Sequence, residues 1–197
     1  VGLHQLRLTA TSLINAYASG YFPMAENAQS PELYWYSPDP RAILPLDGTF
    51  HIPRSLAKFL RQQPFEITHD RDFVGVMTGC ANRPATWINQ PILELFTELH
   101  QLGYAHSIEA WQNGKIVGGL YGLALGGAFF AESMFSSRSG SSKACLVHLM
   151  AHLRGRGFSL CDVQYPNDHL TQFGVKLISR HSYLQQLQQA LAQPAKF

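Results

Sequence analysis

Hydrophobic residues change their spacing several times along this chain. From Thr9 to Ser19, Leu13, Ile14 and Tyr17 share one helical face and Gly20 stands where a helix cap belongs, which predicts a short helix. The next stretch, YFPMAENAQSPELYWYSPDPRAILPL, is rich in proline and aromatic residues. Proline fixes φ and removes a backbone donor, so this stretch is expected to be rigid and extended. Arg54 to Gln62 predicts a second helix with Leu56, Phe59 and Leu60 on its apolar face. Arg54, Lys58 and Arg61 recur at i, i+4 and i+7 and share the opposite side. A boundary is expected near Gln63–Pro64, separating a small N-terminal domain (1–63) from a larger one (64–197).

Beyond Pro64 helical and alternating patterns take turns. Strands are predicted at Phe65–Thr68, His106–Trp111, Lys115–Leu123, Ala128–Met134 and Ser159–Gln164. Helices are predicted at Asp70–Cys80, Pro91–Leu102, Ser142–Gly155 and Tyr183–Ala192. Asn113–Gly114 is a strong hairpin signal between two of the strands. Helices, a meander and a βαβ unit give an α+β fold with a mixed, mostly antiparallel sheet and helices on both faces.

Composition narrows the class. The chain has 197 residues, 46% hydrophobic and 14% charged, enough for a sizeable core. No run of about 18 apolar residues occurs, so no membrane partner is expected. Three widely spaced cysteines, Cys80, Cys145 and Cys161, argue against a disulfide framework and for a reducing cytoplasm. The net charge of +2 means that nucleic-acid binding needs a local basic patch. Nine histidines invite a metal reading, but His148 and His152 at i, i+4 find no third ligand of fitting spacing, so no metal is expected.

Candidate chemistry gathers between Gly127 and Leu170. Glu132 sits in an apolar strand, and Asp162 and Gln164 stand two residues apart in another. Such groups are costly to bury without partners. On an uninterrupted strand Asp162 and Gln164 point to one face, with Cα atoms roughly 7 Å apart. The plainer reading makes Asp162 a turn cap, Gln164 a strand-end residue, and Glu132 a buried acid paired with Arg138 or Lys143. No phosphate loop, nucleophile elbow or metal-spaced cluster is present, so no cofactor is expected.

The element order is that of acetyltransferase-like (GNAT-type) folds, in which the helix after the third meander strand binds a pyrophosphate at its N-terminus. The usual glycine-rich loop is replaced here by Ser136–Lys143. A series of short motifs carries a more specific resemblance. They are GYFPM at 20–24, WYSPDPRAILPL at 35–46, HIPRSL at 51–56, TWI at 86–88, GYAHSIEAW at 103–111, VGGLYG at 117–122 and AESMFS at 131–136. SSKACL at 141–146, CDVQ at 161–164, NDHL at 167–170 and FGV at 173–175 complete the series. In this order and spacing the chain resembles the leucyl/phenylalanyl-tRNA–protein transferase family over nearly its whole length.

The resemblance implies an acetyltransferase-like C-terminal domain and transfer of Leu, Phe or Met from aminoacyl-tRNA to proteins that start with Arg or Lys. It implies Gln164 as amine activator and Asp162 as relay, with Asp162 orienting the Gln164 amide. Glu132 matches a site position, either for the cationic acceptor residue or in the chemistry. Leu120, Phe129, Met134, Leu146, Leu149 and Cys161 match positions of the amino-acid pocket, whose plain alternative is core. Trp35, Tyr36 and Trp87 are candidates for stacking on the terminal adenosine, and Asn167 for substrate contact. Arg54, Lys58 and Arg61 are candidates for acceptor-stem phosphates or a plain solvated face. A monomer is expected. Two other functions stay open: an acetyl-CoA-dependent N-acetyltransferase, and a non-catalytic reader of basic N-termini.

Overall fold

A computed structural model describes residues 8–197. Helix α1 (Ala10–Ala18) starts at a capping box: Ser12 N–H donates to Thr9 Oγ1 at 3.1 Å and Thr9 N–H to Ser12 Oγ at 2.9 Å. Its buried face presents Leu13 and Tyr17. The extended segment that follows is three strands. β1 (Phe22–Ala25) and β2 (Leu33–Tyr36) form an antiparallel two-stranded sheet, and β3 (Arg41–Leu44) joins a larger one. Four-residue strands between prolines show no period, so their pairing could not be read from spacing.

Helix α2 is Arg54–Leu60 and strand β4 is Glu66–His69. Helices α3 (Phe73–Ala81) and α4 (Gln90–Gln101) precede the meander β5 (Ala105–Gln112), β6 (Lys115–Leu125) and β7 (Ala128–Ser136). Asn113 (φ 52) and Gly114 (φ 72) make the tight β5–β6 turn. Helix α5 (Ser141–Gly155) leads to β8 (Leu160–Gln164), which pairs parallel with β7. A one-turn helix α6 (Asp168–Thr171), capped by Asn167, and a three-residue strand β9 (Lys176–Ile178) were not anticipated. Helix α7 (Arg180–Leu191) closes the fold.

The large sheet runs β4-β5-β6-β7-β8-β3-β9, and β7–β8 is its one parallel pair among the described residues. β3 therefore crosses the boundary read at 63–64 and lies beside β8. The sheet separates two cores. Tyr121 and Phe130 face α1, α3, α4 and α7, whereas Leu120 and Phe129 face α2 and α5. This is the period of two expected for a sheet covered on both faces. Among the described residues no helix is long and apolar enough to cross a membrane.

Gly122 and Gly155 make opposite demands on a side chain. A Cβ at Gly122 would lie 2.3 Å from the Phe130 carbonyl oxygen, whereas one at Gly155 meets nothing within 4 Å. Gly155→Ala is expected to raise unfolding free energy by about 0.5 kcal/mol. Gly122→Ala should lower it by about 2 kcal/mol or more. Urea titration of both variants checks the contrast.

Candidate active site

β7 and β8 pair only from Ala128↔Leu160 to Phe130↔Asp162 and then part, while β7 continues along β6 to Ser136. Ligands in open α/β sheets bind where parallel neighbours separate beyond their C-terminal ends. A cavity of about 460 Å³ opens there. Leu120, Met134 and Leu146 supply apolar walls, and Glu132, Gln164 and Asn167 supply polar groups. A second cavity of about 160 Å³ shares Trp87, Glu132, Val163, Gln164 and Asn167 with the first and adds Phe22, Met24 and Tyr165. Gln164 thus lies where two cavities meet.

A bulge puts it there. Ala42 faces Gln164 and Ile43 faces Asp162, which leaves Val163 as the extra residue. Gln164 has φ 58, uncommon for a residue with a side chain. Tyr165 N–H donates to the Val163 carbonyl at 2.7 Å and closes a turn centred on Gln164. Asp162 Oδ1 accepts from the Gln164 backbone N–H at 2.9 Å. The expected orientation of the Gln164 side-chain amide by Asp162 is therefore corrected, because the bulge and the positive φ break the strand alternation. Asp162 fixes the Gln164 backbone, and Gln164 Nε2 donates to Glu132 Oε1 at 3.2 Å.

Asp162 is fully buried and fully partnered. Arg41 Nε donates to Oδ1 at 2.9 Å, Arg41 Nη2 to Oδ2 at 2.7 Å, and Tyr183 Oη to Oδ2 at 2.7 Å. Arg41 Nη1 donates to the Gly20 carbonyl at 3.0 Å. The guanidinium carbon stands 4.8 Å from the Phe22 ring centre and 4.4 Å from that of Tyr183. Burial alone would lower the Arg41 pKa, but the bonds and charge of Asp162 outweigh it and the net shift is upward. Arg41, Tyr183 and Tyr17 were not singled out in the sequence. A charged residue directly before the apolar run AILPL was the signal available for Arg41.

Glu132 does not pair with Arg138 or Lys143. Its Oε1 accepts from Tyr17 Oη at 2.7 Å as well as from Gln164. Burial pushes its carboxyl from 4.5 up to about 8; the Asp162 charge adds to this, while the Tyr17 bond and Arg41 oppose it.

The remaining candidates separate by place. Trp87, Leu120, Met134, Leu146 and Asn167 line the cavities at Gln164. Trp35 and Tyr36 are exposed on β2, with the Tyr36 ring stacked 6.1 Å from that of Phe22. Phe129, Leu149 and Cys161 are buried in the α5-side core and do not line the large cavity. Arg54 and Lys58 are exposed on α2, and Arg61 is exposed at its C-cap. His69 approaches His148 at 2.8 Å between Nε2 atoms, yet among the described residues no three His, Cys, Asp or Glu are placed to hold a metal ion.

Among the described residues, no serine of the cavity wall is hydrogen-bonded to a histidine or lysine. A positioned neutral amide beside a cavity with both apolar and polar walls suits a transferase that takes an already activated acyl group. The family model described as leucyl/phenylalanyl-tRNA protein transferase matches residues 43–188, and that of its N-terminal domain matches residues 7–39. The leucyl/phenylalanyl-tRNA–protein transferase of Paramagnetospirillum magneticum is 54% identical over 194 residues, covering 96% of this chain and 92% of the relative. That of a Ruegeria species is 50% identical, with 98% and 91% covered. The chain belongs to the leucyl/phenylalanyl-tRNA–protein transferase family. Among solved structures, L-PGS from Bacillus licheniformis is similar at a TM-score of 0.45 and 14% identity, over 80% of this chain and 51% of that one.

Because folding raises the Glu132 pKa, the native state keeps a proton between about pH 4.5 and 8 that the unfolded chain has released. The contribution of Glu132 to stability is therefore greatest at acid pH and falls as pH rises through this window. The difference in unfolding free energy, wild type minus Glu132→Gln, should decline from about pH 5 to 8. A difference that rises with pH would contradict the desolvation of this half-buried acid.

Proposed function

We propose that this chain moves Leu, Phe or Met from aminoacyl-tRNA to the α-amino group of proteins that begin with Arg or Lys, marking them for N-end rule degradation. It acts as a cytoplasmic monomer. The supporting observation is Gln164. Its Nε2 is committed to Glu132, which leaves Oε1 to accept a hydrogen bond at the junction of the two cavities.

In this reading the aminoacyl side chain enters the large cavity against Leu120, Met134 and Leu146. The terminal adenosine stacks at the smaller cavity, on Trp87 and the aromatic hairpin that carries Trp35 and Tyr36. Gln164 Oε1 accepts from an N–H of the neutral acceptor amine and aims its lone pair at the ester carbon. The new C–N bond forms, the C–O bond to ribose breaks, and the amine proton ends on the ribose oxygen. A neutral amide suits this task, because a carboxylate at the amine would hold it as ammonium. Glu132, with its raised pKa, orients Gln164 and offers a carboxyl near the acceptor that exchanges protons close to neutral pH. Arg54, Lys58 and Arg61 contact phosphates of the acceptor stem.

The test is incubation with leucyl-tRNA and a labelled peptide beginning with Arg or Lys. Gln164→Ala should cut single-turnover transfer by about 10²-fold or more while leucyl-tRNA binding changes little. Near-wild-type turnover would remove Gln164 from the chemistry. Replacing Arg54, Lys58 and Arg61 together should reduce the log–log salt slope of tRNA binding by roughly 3. Transfer from a stem-free aminoacyl-adenosine should survive, and an unchanged salt slope would return this face to solvent.

A further inference from the structure

Helix α5 begins without a side-chain cap. Its N-cap is Gly140 at φ 82, and no side chain bonds to its first N–H groups. The Ser141 N–H is used by the Arg138 carbonyl at 3.1 Å, and the first helical bond runs from Ala144 N–H to the Gly140 carbonyl at 2.9 Å. Ser142 and Lys143 lie between these two, so their N–H groups have no backbone acceptor among the described residues. A Cβ at Gly140 would lie 2.7 Å from the Phe59 ring, so α2 holds a capping side chain away.

Two side chains on the same wall, Ser142 and His169, are also unpartnered among the described residues. Ser141 commits its hydroxyl to the Val117 and Arg138 carbonyls, both at 2.8 Å. The Ser142 hydroxyl makes no hydrogen bond among the described residues, although Ser142 is only 4% exposed and lines the large cavity. His169 lines that cavity too, and its buried Nε2 has no partner. Lys143 carries an ammonium in the same helical turn, 3.2 Å from Gln172 Oε1. Glu132, beside Gln164, is the one acid of the lining.

We propose that the first turn of α5 binds a backbone phosphodiester of the single-stranded 3′ end of the donor, through the Ser142 and Lys143 N–H groups, the Ser142 hydroxyl and the Lys143 ammonium. The N-terminus of a long helix favours an anion both by its free donors and by its dipole. Position selects a nucleic-acid phosphate over other anions. The site adjoins α2, whose exposed face carries Arg54, Lys58 and Arg61, and it opens into the cavity that ends at Gln164. This inference rests on the aminoacyl-tRNA reading above.

Two donor mimics test it on the full chain. Puromycin has no phosphate, and cytidylyl-puromycin adds one phosphodiester. Calorimetric titration should show cytidylyl-puromycin binding about 10-fold tighter, from charge-assisted bonds to a single phosphate. The gain should weaken with salt by a slope of about 0.7. In Lys143→Glu, and in Ser142→Asp, where the carboxylate meets the free N–H groups and repels a phosphate, the two affinities should become equal. Ser142→Ala and Lys143→Gln keep the size of the site nearly unchanged and should each lose part of the gain. Equal affinities in wild type, or a gain that persists in all four variants, would overturn the phosphate site and leave the transferase reading standing. Failure of both mimics to bind wild type would overturn the donor reading and this inference with it.

Discussion

The ion pair of Arg41 and Asp162 is the contact on which the site depends. Two buried charges are expensive to desolvate, and the cost is offset only where geometry and further bonds are complete. Here they are complete. The guanidinium forks onto both carboxylate oxygens, donates once more to the Gly20 carbonyl, and lies between the rings of Phe22 and Tyr183. The pair joins the segment after α1, the strand β3, the strand β8 that carries Gln164 and the closing helix α7. Its remaining acceptor capacity goes to the Gln164 N–H, so a charge pair formed far apart in sequence holds one strained backbone turn.

From that turn the chemistry follows by position. The parting of β7 and β8 makes the cavity, the bulge at Val163 swings Gln164 to its mouth, and Glu132 takes up the free side of the amide. Tyr17 reaches in from α1 to hold Glu132. The N-terminal segment is thus part of the support of the proposed site, by contributing β3, Tyr17 and Arg41, as well as carrying the basic face at α2.

Much of the fold was legible in the sequence. The meander, its Asn113–Gly114 turn, α5 and β8 all have strong periods or turn residues, and the polar residues Glu132, Asp162 and Gln164 stand out in apolar runs. Short strands bounded by prolines carried no period, so the place of β3 in the sheet, and with it Arg41, was hidden. The side-chain partners were hidden for a second reason. A period of two places Asp162 and Gln164 on one face, but one bulged residue and one left-handed φ redirect the amide to Glu132. Phe129, Leu149 and Cys161, named from the resemblance, lie in the α5-side core, and composition alone does not separate a cavity wall from a core.

The most direct test of this account is a double-mutant cycle on single-turnover transfer from leucyl-tRNA, using Arg41→Met, Asp162→Asn and the pair together, each measured on folded protein. If both residues act through the Gln164 turn, each single change should slow transfer by about 10²-fold, as small misplacements at a reacting centre do. The pair together should then be no slower than the worse single variant, because residues that act as a unit are not additive. Losses that multiply would show that Arg41 and Asp162 act independently, and would contradict the ion pair as the support of the site.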